Sequence, residues 1–412
     1  MRTDVFHKNP DIPLDGISYP SLFNELVAIS GGNAEITPEF MIKLGCASAC
    51  CASRIAVGYS EQSICKLLAN AFIAGAGSGG AQVTEFDAGF SAVASYVARN
   101  YLFNLTVFIE NDKGRLRIKM IDKFGLPIDR EFQRKIEAFT HAENFSHTVT
   151  SDILMPKSIT GTREAFAIDC ANTDVMEGFR VSVTGKGIAC DCLKYVLSLS
   201  GCIIDNEEPG IPGLALSDDG ESLYIRDEVG FWYDNGHIDA LLTLVYFLSG
   251  ERELAVSAAA PSVIEQISAE FDGRILRIGR DYGAREIFLT QKVLTDAFSS
   301  AVFLCSYLHS SKASVTDLVK RLPEFILVSR EVSVHSDRQR ILSRLTQSAD
   351  GLHKENTGQL RVCADGGWVN ISPARSKSAL RITGEGMNEE IASELCNLFI
   401  ERTKLIDSEE SK

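Results

Sequence analysis

Four stretches of this 412-residue chain combine residue types that could do chemistry. In the first, Gly213 to Gly230, an apolar run from Leu214 to Leu216 leads into Ser217-Asp-Asp-Gly-Glu-Ser222. A second strand-like run, Leu223 to Ile225, leaves it towards another turn at Asp227 to Gly230. This order predicts a β-hairpin with carboxylates at its tip. In the second stretch, Arg375, Ser376 and Lys377 lie in a turn, where two cations, hydroxyls and backbone N–H groups suit a phosphate. A solvated basic turn has the same composition. The third, Gly75-Ala-Gly-Ser-Gly-Gly80, has the glycine content of a phosphate cradle. A cradle needs strand, loop and then helix N-terminus, so that free N–H groups face the anion. Here a helix precedes and a strand follows, which makes the segment a helix C-cap and connector. The fourth is Cys46, Cys50 and Cys51 on one predicted helix. No further ligand lies nearby in the sequence, and small buried thiols pack well, so these are read as packing residues.

The elements that must hold these groups follow from punctuation and periodicity. Thr37 is an N-cap and Pro38 the first helical residue of a helix carrying Phe40, Met41 and Leu44. A strand from Ile55, a helix from Ile64 to Ala74 and a strand from Gln82 to Phe86 come next. Val107 to Ile109 reads as a strand, the polar Glu110-Asn-Asp-Lys-Gly114 as a solvated turn, and Arg117 to Lys119 as the strand beyond it. A helix spans Asp129 to Ala138, and the polar segment 140–165 reads as an interdomain connection. Phe179 to Val183, the helix Gly187 to Leu199 and Gly201 to Ile204 make a βαβ unit, which favours a parallel sheet covered by helices. Glu253 to Arg277 repeats the order strand, helix, strand. The last helix, Asn388 to Arg402, carries Ile391, Leu395, Leu398 and Phe399 on one face. From Asp407 the composition predicts disorder.

Length and composition narrow the class. A chain of this size holds two to four domains, because single cores stop growing near about 250 to 300 residues. The formal charge of −14 argues against a nucleic-acid footprint, which needs a basic face. No apolar run approaches the roughly 20 residues that span a bilayer, and the first residues lack a signal peptide's apolar core. A cytoplasmic protein with no membrane partner is expected, its eleven cysteines reduced.

In frame and order the chain resembles the α-D-phosphohexomutases, the phosphomannomutase and phosphoglucomutase family. Ser217-Asp-Asp-Gly-Glu-Ser222 stands where that family has its metal loop D-G-D-G-D-R, and Asp227 to Gly230 matches the turn that follows it. Asp365-Gly-Gly-Trp-Val-Asn-Ile-Ser-Pro-Ala-Arg-Ser-Lys-Ser-Ala-Leu-Arg381 is similar to its phosphate-binding loop. The resemblance spans about residues 35 to 405. It implies an α/β fold with four-domain phosphohexomutase-like architecture: three related α/β domains plus a C-terminal helix-on-sheet domain around a central cleft. The corresponding boundaries are 1–150, 151–246, 247–331 and 332–412, with the acidic hairpin in the second domain and a shortened sugar loop in the third.

The resemblance also implies an activity, and this chain departs from its requirements. The family moves a phosphoryl group between hexose positions through a phosphoserine and a bisphosphate, with magnesium on three Asp. Here Ser217 replaces the first Asp. Asp219 and Glu221 remain as metal positions, a set that holds magnesium weakly because Mg2+ sheds water reluctantly. No serine lies between residues 97 and 145, where the phosphoserine is expected, which leaves Asp112 as a candidate acceptor and Lys119 beside the reaction loop. Gly279 to Phe288 runs almost directly into a helix near Thr295, which implies a deleted sugar loop. Phosphate contacts carry over to Arg375, Ser376, Lys377 and Arg381. The expectation is a phosphosugar-binding or regulatory paralogue with a hexose phosphate as ligand, as a monomer or within a homo- or hetero-oligomer. A divergent active mutase, an isomerase by intramolecular phosphotransfer, is the alternative, and a structural scaffold a third.

Overall fold

The computed structural model describes residues 28–410 except 32–35, 88, 113–114, 144, 146, 172–175, 234, 258, 279–280, 348–351, 355–359, 365–366 and 375–378. The first sheet takes β1 (Ala28–Gly31), β2 (Arg54–Tyr59), β3 (Gln82–Phe86), β4 (Leu105–Asp112), β5 (Arg115–Asp122) and β6 (Lys157–Ile159) in the order β1-β5-β4-β2-β3-β6. Strands β2, β3, β4 and β6 are parallel, and β5 runs antiparallel to both β4 and β1. Four helices belong here: α1 (Pro38–Cys51), α2 (Ser63–Ser78), α3 (Ala92–Asn100) and α4 (Arg130–Ala142). Thr37 caps α1 by accepting from the Phe40 N–H at 3.2 Å, and Asp129 caps α4. The close crossing of α1 and α2 requires glycine, since a Cβ on Gly75 would lie 2.1 Å from the Ile42 carbonyl oxygen. All three α1 cysteines are free thiols, with Cys46 buried and donating to the Gly75 carbonyl.

The second sheet holds β7 (Arg180–Thr184), β8 (Ile203–Asp205), β9 (Gly213–Leu216), β10 (Leu223–Arg226) and β11 (Trp232–Tyr233) in the order β11-β10-β9-β7-β8. The hairpin is β9 and β10, antiparallel, with Leu216 opposite Leu223. Helices α5 (Thr162–Cys170), α6 (Ile188–Leu199) and α7 (Asn235–Leu248) belong to this part of the chain. A parallel pair, β12 (Glu253–Val256) and β13 (Arg274–Arg277), flanks α8 (Val263–Ala269) and is followed by α9 (Ala284–Thr290), α10 (Ala297–Ser311) and α11 (Val315–Val319). The last sheet is antiparallel, order β14-β18-β17-β16-β15, from β14 (Ile326–Ser333), β15 (Leu352–Lys354), β16 (Leu360–Ala364), β17 (Gly367–Pro373) and β18 (Ala379–Gly386), with α12 (Arg338–Gln347) and α13 (Glu389–Glu410). The mixed α/β architecture with several sheets is that of a four-domain phosphohexomutase-like chain.

Two local expectations are corrected, the bare connection at 140–165 and the disordered tail from Asp407. The segment 140–165 is not a bare connection, because β6 pairs with β3 and extends the first sheet to Ile159. Residues 284–290 form α9, whose Arg285 is 2.5 Å from Asp122 and stacks its guanidinium over Phe124, so this segment docks on the first domain. The C-terminal helix continues past Arg402 to Glu410. Asp407 accepts N–H bonds from His335 and Ser336, and Arg344 pairs with Glu409 and Glu410. Sequence composition alone missed these long-range partners.

Candidate functional site

Register builds one half of the site. In the β4–β5 ladder Glu110 lies opposite Arg117 and Phe108 opposite Lys119. Side chains alternate along a strand and opposed residues share a face. Val107, Ile109, Leu116 and Ile118 therefore enter the first-domain core, while Glu110, Arg117 and Lys119 reach the other side. The hairpin turn supplies the other half. Gly220, at φ +71, lets the turn close, and the Gly220 N–H donates to the Ser217 carbonyl at 2.9 Å. Asp219 Oδ1 accepts from the Ser217 hydroxyl at 2.5 Å and the Glu221 N–H at 3.1 Å, which leaves Oδ2 facing the first domain.

The halves meet on an ammonium. Lys119 Nζ is 2.8 Å from Glu221 Oε1, 3.0 Å from Glu110 Oε1 and 3.6 Å from Asp219 Oδ2, and it donates to Ser91 Oγ at 2.9 Å. Arg117 lies 2.9 Å from the same Glu110 oxygen and 3.8 Å from Asp219 Oδ2. Ser91 in turn donates to Glu221 Oε1 at 2.8 Å. Three carboxylates against two cations leave this cluster one negative charge in excess. Burial works against the Lys119 charge, but Glu221, Glu110 and Asp219 outweigh it and raise its pKa. Asp219 is likewise buried, yet Lys119 and the Ser217 hydroxyl hold its pKa below the usual value. Burial pushes Glu110 up even beside Lys119.

These residues do not fit magnesium. The ion demands near-octahedral oxygens at about 2.0–2.1 Å and keeps several waters, whereas Lys119 stands between the carboxylates that would ligate it. Among the described residues no group of three or more His, Cys, Asp or Glu side chains is arranged to hold a metal ion. The expected magnesium positions, Asp219 and Glu221, are thus brought together around a lysine. No step is drawn through a metal.

One cavity borders this arrangement, and a second lies apart from it. The first, about 610 Å³ between the first two domains, is lined by Ser60, Gln62, Glu110, Asn111, Lys186 and Asp218 among others. The Gln62 amide donates to the Asn111 carbonyl at 3.2 Å across its rim. The other, about 470 Å³, lies between α7, the Ala259–Pro261 segment and the face of the last sheet. Its polar lining includes His237, Asp239, Arg361, Ser372, Arg381 and Thr383. Arg361 donates to the Ala260 carbonyl at 2.7 Å and stacks over Trp368, and Glu385 accepts from the N–H groups of Ser262 and Val263. Burial pushes Asp239 up to about 7, with Arg277 opposing.

The residues singled out from sequence separate accordingly. Lys119, Asp219 and Glu221 form the centre of the first cluster. Asp112 lies at the outer end of β4 in register with Arg115, two residues beyond Glu110. Arg381 lines the second cavity and pairs with Glu331 at 2.8 Å, while Arg375, Ser376 and Lys377 fall outside the described residues. Sequence reasoning passed over Glu110, Arg117 and Ser91. Alternation along β5 puts Arg117 on the Lys119 face, and Glu110 joins them only through its pairing opposite Arg117. Nothing local marks Ser91, which comes from another element.

Comparison with known proteins agrees with this architecture. Residues 29–147 match the family model "Phosphoglucomutase/phosphomannomutase, alpha/beta/alpha domain I". The chain is 20% identical to the phosphoglucosamine mutase of Methanocaldococcus jannaschii over 434 residues, covering 90% of this chain and 96% of that one. It is also 20% identical to the phosphoglucomutase/phosphomannomutase of Thermococcus kodakarensis, covering 89% and 95%. Among solved structures, a phosphoglucomutase/phosphomannomutase family protein from Burkholderia thailandensis superposes with a TM-score of 0.69 at 13% identity, over 93% of this chain and 97% of that one. Parafusin, a phosphoglucomutase from Paramecium, superposes at 0.61 and 11% identity, over 91% and 93%. The structures speak for the fold, and the near end-to-end sequence matches make the chain similar to the α-D-phosphohexomutases along most of its length.

Proposed function

We propose that this chain binds a hexose phosphate and has lost the phosphoserine route of the α-D-phosphohexomutases, so that it serves as a phosphosugar-binding or regulatory paralogue. The observation that carries this reading is Glu110. It lies two residues before the end of β4, the strand on which the resemblance calls for the phosphoryl-carrying serine, and its Oε1 is held by both Arg117 and Lys119. A carboxylate oxygen clamped by two cations is a poor nucleophile, and phosphoryl transfer depends on an acceptor aligned with a charge-neutralised phosphate. Support for an anionic ligand comes from the second cavity. Arg381 and Ser372 line it, Arg375, Ser376 and Lys377 lie between them in sequence, and hydroxyls and cations together suit a phosphate.

The test is phosphorus NMR of the purified protein with glucose 1-phosphate, magnesium and catalytic glucose 1,6-bisphosphate, repeated with mannose 1-phosphate and glucosamine 1-phosphate. The last is included because relatives are named for phosphoglucosamine. Line broadening without conversion is expected. Appearance of any 6-phosphate overturns the reading.

A divergent active mutase is the second reading. It is favoured by Ser91, a hydroxyl within hydrogen-bond reach of both Lys119 and Glu221. Conversion that is lost in Ser91→Ala would establish it, and conversion lost in Asp112→Asn would assign the acceptor to Asp112 instead. Neither broadening nor conversion would leave the scaffold reading.

A further inference from the structure

We propose that Lys119 is a covalently tethered substitute for a divalent cation, and that Glu110, Asp219 and Glu221 form a latent metal site which opens only when that lysine is removed. Carboxylates from two domains converge on one point. Glu110 comes from β4 of the first domain, and Asp219 and Glu221 from the hairpin of the second. Their oxygens lie 3.0, 3.6 and 2.8 Å from Lys119 Nζ, with Ser91 Oγ as a fourth oxygen at 2.9 Å. Glu110 is buried, Asp219 partly buried and Glu221 exposed, and three negative charges converging beside a buried carboxylate need a positive partner, since an uncompensated buried charge is strongly destabilising. The lysine supplies it from within the chain.

Its side chain is only 6% exposed. An incoming divalent ion would have to expel this buried ammonium, and a small ion such as magnesium would also have to shed tightly held water. Arg117, 2.9 Å from Glu110 and 3.8 Å from Asp219, makes the point still less hospitable to two further positive charges. The consequence is mechanical as well as electrostatic. The joint between the first two domains is closed by the chain itself, so it does not vary with the supply of metal. This inference concerns the cation alone and stands whether or not a sugar phosphate binds.

The experiment uses the full chain and Mn2+ as the probe, with bound ion read by electron paramagnetic resonance and thermal midpoints read with and without the ion. The wild-type protein is expected to bind no stoichiometric Mn2+ at this point and to show no Mn2+-dependent shift. Lys119→Ala is expected to bind one Mn2+ per chain at least tenfold more tightly than the wild type, and adding Glu221→Gln to it should reverse most of that gain. If Lys119→Ala does not fold, Lys119→Gln, which keeps a polar group of similar length, is expected to show a rise in midpoint with Mn2+ that the wild type lacks. Stoichiometric binding to the wild type that is lost in Glu221→Gln would overturn the proposal. So would a folded Lys119 variant with no gain in Mn2+ binding.

Discussion

Lys119 and Glu221 lie 2.8 Å apart across the boundary between the first and second domains, and the ammonium of one is the point at which the acidic hairpin of the other is anchored. Glu221 is 46% exposed, whereas Glu110, 3.0 Å from the same ammonium, is only 8% exposed, so removing the lysine leaves the Glu110 charge buried with no close cation but Arg117. Lys119→Met, which keeps the bulk and removes the charge, is expected to destabilise the protein by about 3–5 kcal/mol in urea unfolding. A loss below about 1 kcal/mol would place the cluster with solvent-screened pairs.

The α1–α2 crossing depends on backbone approach. With a Gly75 Cβ only 2.1 Å from the Ile42 oxygen, and a Gly45 Cβ 2.3 Å from that of Phe72, neither helix can accept a methyl group without moving. Gly75→Ala is expected to cost about 1–3 kcal/mol by thermal or chemical unfolding, in the range of overpacked cores. An unchanged midpoint would mean that the helices separate freely.

Asp407 gives an acid-side signature. Burial would push its carboxyl up, but N–H bonds from His335 and Ser336 hold it at about 2, below the ordinary 3.8. A depressed carboxylate contributes stability above its unfolded pKa and loses it as pH falls through the folded one. Asp407→Ala is expected to cost about 1–3 kcal/mol at neutral pH and to flatten the stability profile between pH 4 and pH 2. Circular dichroism melts across that window check both.

Asp239 gives the opposite sign. Burial raises it to about 7 against the pull of Arg277, so the folded state keeps a proton that the unfolded chain releases near 3.8. Its contribution is therefore full below about pH 4 and is lost as pH rises towards 7. Asp239→Asn is expected to stabilise the protein at pH 7–8 and to remove that slope. Destabilisation at pH 8 would show instead that the ionised form is needed.

For the proposed phosphate contacts Arg375 and Lys377, the expected outcome is a selective loss of ligand affinity. The double substitution Arg375→Ala and Lys377→Ala removes two cations and should weaken binding of glucose 6-phosphate about tenfold or more by calorimetry. Neutral glucose serves as the control. An unchanged phosphate affinity would exclude these two residues as anion contacts.

Much of the scaffold was legible because its signals are local. Thr37 and Pro38 announce α1, and two apolar runs about an acidic turn announce a hairpin, whereas the helix expected to stop at Ala74 runs on through Gly75 and Gly77 to Ser78, leaving only Gly79 and Gly80 as its end before β3. Readings failed where a distant partner decides. Lys157 to Ile159 is polar and short, and it becomes a strand only because β3 offers an edge. Residues 407–410 look like a solvated tail, but His335, Ser336 and Arg344 hold them in the helix. The turn assigned to residues 110–114 hid Glu110 in the same way, since a carboxylate among turn formers looks solvated until the strand pairing directs it inwards.

The sequence by itself determined the family frame, the acidic hairpin and the lack of any serine from 97 to 145, because each of these is written in consecutive residues. Only the tertiary structure decided what the carboxylates hold. Lys119 and Glu221 are 102 positions apart, and their meeting depends on a β4–β5 register in one domain and a hairpin turn in another. Charge pairing at that distance is set by how the domains dock, which no local period or spacing encodes.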